Sequence, residues 1–211
     1  VFGEVGVDGL FGPTETLIIA DEHANIAHCV ADLLAQAEHD PLATPILITT
    51  SKKLADTVNS NVLEQSKKIT RSNIAQSSLK NNGLIILVEN INQAVELSNI
   101  FAPEHLSLML NKPEKYLDQI VNAGIIFSGK SAHEVIGDYI AGPSHVMPTN
   151  QTAKFNSGIN ILTFMKIIPL VNLDHLSNQK LKELNEIACT LAMSEGFEAH
   201  AHAAESRLDS L

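Results

Sequence analysis

Four short stretches of the chain carry side chains that can hold a metal ion or move a proton. In FAPEHLSLM (Phe101–Met109) a carboxylate, Glu104, stands directly beside an imidazole, His105. Imidazole accepts a proton near neutral pH, and a carboxylate does so when its pKa is raised, so the pair can supply two separate acid/base groups. In LLAQAEHD, Gln36 and His39 are three residues apart. On a helix they share a face, and two donors so spaced can chelate one ion. In GDYIAGPSHVMPT, Asp138 and His145 lie seven residues apart in a Gly- and Pro-rich stretch. Asp138 there can ligate a metal and His145 can meet a substrate. Near the C-terminus, EGFEAHAHAAESRL carries Glu195, His200 and His202. His200 and His202 are two apart, so on a helix they diverge and one of them at most faces a given site.

Each stretch also has a plainer explanation. Glu104 and His105 can be a solvated pair opening a strand, and successive residues of an extended segment point to opposite faces, so both line one cleft only if the turn is tight. His39 near a helix C-terminus favours the helix dipole. Glutamine is a rare zinc ligand. Asp138 can cap a turn, and His145 can simply be exposed. The sequence holds no Cys pair, no glycine-rich phosphate loop and no HExxH.

The frame that must position these residues is an alternation of short apolar runs and helical periods. Strands are expected at Thr16–Asp21, Pro45–Thr50, Gly83–Asn90 (buried), His105–Leu110 and Ile125–Gly129. Helices are expected at Asn25–His39, at 51–69 with Ser51 as N-cap, at 91–101, and at 113–124 with Pro113 near its start and Gly124 at its end. This rhythm predicts an α/β fold, a parallel sheet with helices on both faces. It breaks after about Gly129. Gly137–Gly158 reads as loop, a natural place for a site. From Leu176 on, the pattern is helical again. The expected organisation is an α/β domain over 1–150 and a linker with a small helical C-terminal tail over 151–211.

Composition narrows the function. Of 211 residues, 45% are hydrophobic and 18% charged, which suits a folded domain with a sizeable core. The formal charge of −10, without a Lys/Arg cluster, argues against nucleic acid and anionic membranes. No apolar run approaches the ~20 residues of a membrane span. Cys29 and Cys189 lie far apart among apolar neighbours, as buried thiols in a reducing compartment would. The start shows no signal peptide, and because it is Val1 rather than Met, the chain is expected to be a piece of a longer one.

Taken in order, GLFGPTETLIIAD, LLAQAEHD, FAPEHLSL, GDYIAGPSHVMPT and FEAHAHAAESRL resemble histidinol dehydrogenase over nearly the whole chain. The resemblance implies a zinc site made by Gln36, His39, Asp138 and His200, with His200 reaching over from the second subunit of an intertwined homodimer. It implies Glu104 and His105 as the acid/base pair, and Thr14, His145 and Glu195 as substrate contacts alongside the zinc ligands and His105. The activity implied is oxidation of L-histidinol to L-histidine in two NAD-dependent steps through an aldehyde. The setting implied is cytoplasmic, or organellar after processing.

Family members are much longer at the N-terminus. The absent half is expected to carry most NAD contacts and part of the α/β architecture, leaving an incomplete Rossmann-like domain here. No glycine fingerprint follows a strand, so no NAD-binding residue is assigned. The isolated chain is accordingly expected to be inactive. The alternatives are a non-catalytic zinc- or ligand-binding remnant of that enzyme and, more weakly, a zinc hydrolase using a carboxylate base beside its metal.

Overall fold

Residues 3–208 are described in a computed structural model of the chain. Five parallel strands form one sheet: β1 (Glu15–Ala20), β2 (Thr44–Thr49), β3 (Leu84–Leu87), β4 (His105–Met109) and β5 (Ile125–Ser128). Their order is β3-β2-β1-β4-β5, so the chain builds outward from β1 on one side, then crosses back to build on the other. The helices are α1 (Ile26–His39), α2 (Lys52–Gln65), α3 (Ser72–Asn81), α4 (Ile91–Phe101), α5 (Glu134–Tyr139), α6 (Asn178–Ser194) and α7 (Glu198–Leu208). The parallel sheet flanked by helices, with a helical C-terminal segment, is the architecture the hydrophobic rhythm predicts.

Alternation along the strands gives the sheet two apolar faces. Leu17, Ile19, Ile46, Ile48, Leu106 and Leu108 pack with Ala94 and Val95 of α4. Ile18, Ala20 and Leu47 face Val30 and Leu33 of α1 and Val58 of α2. Both faces being covered, β1 is buried at all six positions. Each fully buried Leu or Ile contributes about 1.5–3 kcal/mol. Asn25, Ser51 and Asn90 cap α1, α2 and α4, their side-chain oxygens accepting helix N–H groups.

Four expectations are corrected. The 113–124 segment is not a helix but two 3-10 turns, Pro113–Lys115 and Leu117–Gln119. Tertiary bonds outcompete the helix: Asn99 Oδ1 accepts from Val121 N–H at 2.9 Å, and Asn99 Nδ2 donates to Gln119 O at 2.8 Å. Gly124 is required by close approach rather than as a helix end, since a Cβ there would lie 2.6 Å from the Glu104 carbonyl oxygen. Strand β3 is not buried: it is a sheet edge, with Leu84 and Leu87 each about half exposed. Helix α3 escapes a hydrophobic reading because its buried face is made of small residues, Ala75 and Ser78. The stretch Gly137–Gly158 is not wholly loop, since α5 runs into it from Glu134.

The chain forms two compact units, Val1–Met165 and Lys166–Leu211. In the second, α6 and α7 pack on each other, joined through Gly196 with φ of 79°. Leu184, Ile187, Leu191 and Phe197 stay exposed there. Among the described residues no helix is long and apolar enough to cross a membrane.

Candidate active site

Six of the expected site residues line one cavity of about 600 Å3: Thr14, His39, Glu104, His105, Asp138 and His145. The cavity lies at the amino-terminal edge of the sheet. Thr14 directly precedes β1, Glu104 directly precedes β4, and His39 ends α1. In the β1–β4 pairing Thr16 stands opposite His105, which brings the stretches around residues 14 and 104 together.

Glu104 and His105 do share the cavity, and the reason is a tight turn. Ala102 closes α4 in the left-handed region, φ 55°, and Pro103 and Glu104 swing straight into β4. Glu104 is buried, 7% exposed. One of its oxygens, Oε2, accepts from the Thr14 hydroxyl at 2.6 Å and from the Glu15 N–H at 3.0 Å. His105 is 3% exposed, and its Nδ1 lies 3.0 Å from the Glu15 carbonyl oxygen. In the neutral ring that acceptor puts the proton on Nδ1 and leaves Nε2, which has no hydrogen-bond partner and is 3.5 Å from Asp138 Oδ1.

Glu134, which no motif in the sequence singles out, is the third carboxylate around His105, with Glu104 and Asp138. Its Oε2 is 4.0 Å from His105 Nδ1 and in hydrogen-bond contact with the Thr16 hydroxyl. Nothing in the local sequence marks it; only the turn of α5 brings it behind the imidazole. Burial lifts its carboxyl to about 7, against the opposing pull of His105 and Thr16. For His105, burial works against the imidazolium, but Asp138, Glu134, Glu104 and the Glu15 carbonyl outweigh it and hold the group up at about 9.

Gln36 is fully buried and does not line the cavity. Its Oε1 lies 3.0 Å from Thr16 Oγ1, while its Nε2 has no partner. Above about pH 7, where Glu134 is ionised, the Thr16 hydroxyl has one hydrogen and two acceptors, Gln36 Oε1 and Glu134 Oε2. Turning the Gln36 amide over removes the conflict: Nε2 donates to Thr16, Thr16 donates to Glu134, and Oε1 takes the partnerless position. An unpaired amide oxygen in that orientation is the kind of donor a cation satisfies, and Gln36 sits three residues before His39 on α1, while His39 and Asp138 line the cavity. Geometry alone names another group, His105, Glu134 and Asp138, whose ligand atoms lie within 4.8 Å of one another. The two sets share Asp138. Glu195 and His200 belong to the second unit, Glu195 just after α6 and His200 in α7, and both are exposed.

A larger cavity, about 710 Å3, opens beyond the carboxyl ends of the strands, beside Met109, Gly129, His28, Asp32 and His133. Open α/β sheets commonly bind ligands at that edge, where the strand order reverses. Here the paired bases and the candidate metal ligands sit at the opposite edge, and chemistry outweighs size in placing the site.

The histidinol dehydrogenase family model matches residues 1–208. A histidinol dehydrogenase of Dehalococcoides mccartyi strain CBDB1 is 51% identical over 209 residues, 99% of this chain and 47% of that protein. One from Thermus thermophilus is 44% identical over 207 residues, 98% of this chain and 49% of that protein. The solved histidinol dehydrogenase of Elizabethkingia anophelis superposes with a TM-score of 0.88 at 34% identity, covering 98% of this chain and 47% of that one. The chain thus spans about half the length of the curated relatives it matches.

Proposed function

The chain belongs to the histidinol dehydrogenase family, and we propose that it carries the acid/base and metal-binding part of an enzyme oxidising L-histidinol to L-histidine through histidinaldehyde, with NAD as acceptor. The observation that carries this reading is the convergence of Glu104 and His105 with Thr14, His39, Asp138 and His145 in one cavity. NAD contacts are assigned to the part of the relatives' length that this chain does not span. A cytoplasmic location, or an organellar one after processing, goes with the same reading.

The division of labour is the one the family resemblance implies, and the hydrogen bonds support it. In its neutral form, reached as pH rises toward about 9, His105 keeps Nδ1–H on the Glu15 carbonyl, offers Nε2 to the substrate hydroxyl and takes that proton as the hydride departs. Glu104, fixed through Oε2 by Thr14 and Glu15, activates the water that adds to the aldehyde before the second hydride leaves. His145 and Glu195 orient the substrate. Gln36, His39, Asp138 and His200 would hold the zinc, His200 coming from a second copy of the chain. When bound, the zinc supplies a template for the imidazole and amine of the substrate.

The test is the full-length protein with L-histidinol: two NADH per histidine formed is expected, and none would overturn the reading. Mixed dimers of His39→Ala and His200→Ala subunits should regain activity, because one of their two sites is then intact. No recovery after confirmed subunit exchange would place His200 in the same chain's site.

A second reading rests on the His105, Glu134 and Asp138 group. There His105 is a metal ligand rather than a base, and the protein is a zinc- or ligand-binding remnant without turnover.

A further inference from the structure

Glu15 is buried to 7% exposure at the first position of β1, and four of its polar groups are accounted for differently. Its N–H donates to Glu104 Oε2 and its carbonyl accepts from His105 Nδ1, each at 3.0 Å. Any residue supplies those two backbone groups. The carboxylate is what the sequence specifies, and it does something else: Oε1 accepts from the Asn150 N–H at 3.0 Å, while Oε2 is buried without a partner. A buried carboxylate beside Glu104 is costly. Burial, and further down the Glu104 charge, push its carboxyl above the usual range.

What it holds is itself unusual. Asn150 and Gln151 are consecutive non-glycine residues in the left-handed region, φ 52° and 65°. Such backbone persists only where the surroundings over-determine it. Thr149 adds a second tie, accepting from the Gly12 N–H at 2.6 Å, which fastens the same segment to the turn before Thr14. Five residues upstream of Asn150 is His145, on the wall of the cavity.

We propose that Glu15 is a positioning residue that clamps the 145–150 segment against the two bases, its carboxylate holding Asn150 while its backbone holds Glu104 and His105. The clamp sets the distance between the substrate-contacting loop and the acid/base pair. Its catalytic readout rests on the proposed function; its structural readout does not.

The experiment compares Glu15→Gln and Glu15→Ala in the full-length protein, by histidinol kinetics and by amide exchange over 146–151. Gln keeps an acceptor oxygen and should behave close to wild type. Ala removes it: KM for histidinol should rise on the order of tenfold while kcat changes less than about threefold, since the bases keep their backbone partners. Amide exchange at Asn150 should quicken in the Ala variant alone. A merely structural residue would lower kcat with KM and exchange unchanged, and that result overturns the clamp, as does a Gln variant as impaired as Ala. If the Ala variant does not fold, Glu15→Leu keeps the bulk without the acceptor and takes its place. If the wild type oxidises no histidinol, the proposed function fails by itself, and the exchange comparison still decides the clamp.

Discussion

His105 is joined to Glu15 by a 3.0 Å hydrogen bond from the imidazole Nδ1 to the first carbonyl of β1, and that bond decides which nitrogen is left for chemistry. An asparagine amide can imitate Nδ1–H but has nothing in place of Nε2. A His105→Asn variant should therefore keep its fold, by circular dichroism and thermal midpoint, and lose roughly 10²–10⁴ in alcohol oxidation. A loss of fold together with activity would mean that the imidazole is held for packing, against Phe127 with which it stacks at 6.2 Å, rather than for proton transfer.

Glu104 is tied down by Thr14 and Glu15 through one oxygen, Oε2. Glu104→Gln can preserve the acceptor but cannot take a proton from water. Only the aldehyde step needs that water. Aldehyde oxidation should fall by roughly 10²–10⁴ while alcohol oxidation survives better. Single-turnover measurement of each half-reaction decides it, and equal losses in both would end the division of labour.

The two candidate metal sets share Asp138 and differ in His39 and Gln36 against His105 and Glu134. Zinc per protein, measured after gel filtration of the full-length enzyme, separates them. His39→Ala should lose most of the metal. Glu134→Gln should retain it, because Glu134 is held by Thr16 behind the imidazole. The reverse pattern would support the remnant without turnover.

How much of this was legible in the sequence depends on where each signal resides. Strands β1, β2 and β4 announce themselves as apolar runs because both their faces are covered. Helix α4 is periodic, and its bounds, Ile91–Phe101, coincide with the expected 91–101. The failures are places where a distant partner overrides a local pattern. Asn99 takes the backbone groups that a helix over 113–124 would have paired within itself. Helix α3 hides behind Ala75 and Ser78, the latter donating to the Ala43 carbonyl at 2.8 Å. In the site, Glu104 and His105 stand out as a dipeptide, whereas Glu134 is an ordinary helix-start carboxylate until the tertiary fold sets it behind His105. Glu15 lies just before the expected strand, Thr16–Asp21, and carries no signal until its three bonds are seen together.

Glu134 is raised to about 7 and His105 to about 9. Both groups therefore bind a proton more tightly in the folded than in the unfolded chain, and stability must fall as pH rises wherever the folded state holds the extra proton. For Glu134, whose ordinary value is 4.5, that window runs from about 4.5 to 7. For His105, ordinarily 6.5, the contribution is complete below about 6.5 and gone above about 9. Because each group's charge acts on the other, they titrate as a pair, and the metal-free protein should lose stability from about pH 4.5 to 9. Glu134→Gln removes a titrating carboxyl but keeps a partner for Thr16. Its stability should fall less steeply than that of the wild type through the lower part of the window, where Glu15 and Asp32 still titrate above their ordinary values, and above pH 7 it should exceed the wild type. Urea denaturation of both proteins across that range is the measurement. A wild-type profile that rises between pH 5 and 9, or a Gln variant with the same slope as wild type below pH 7, would show that the Glu134 proton is not held in the folded state.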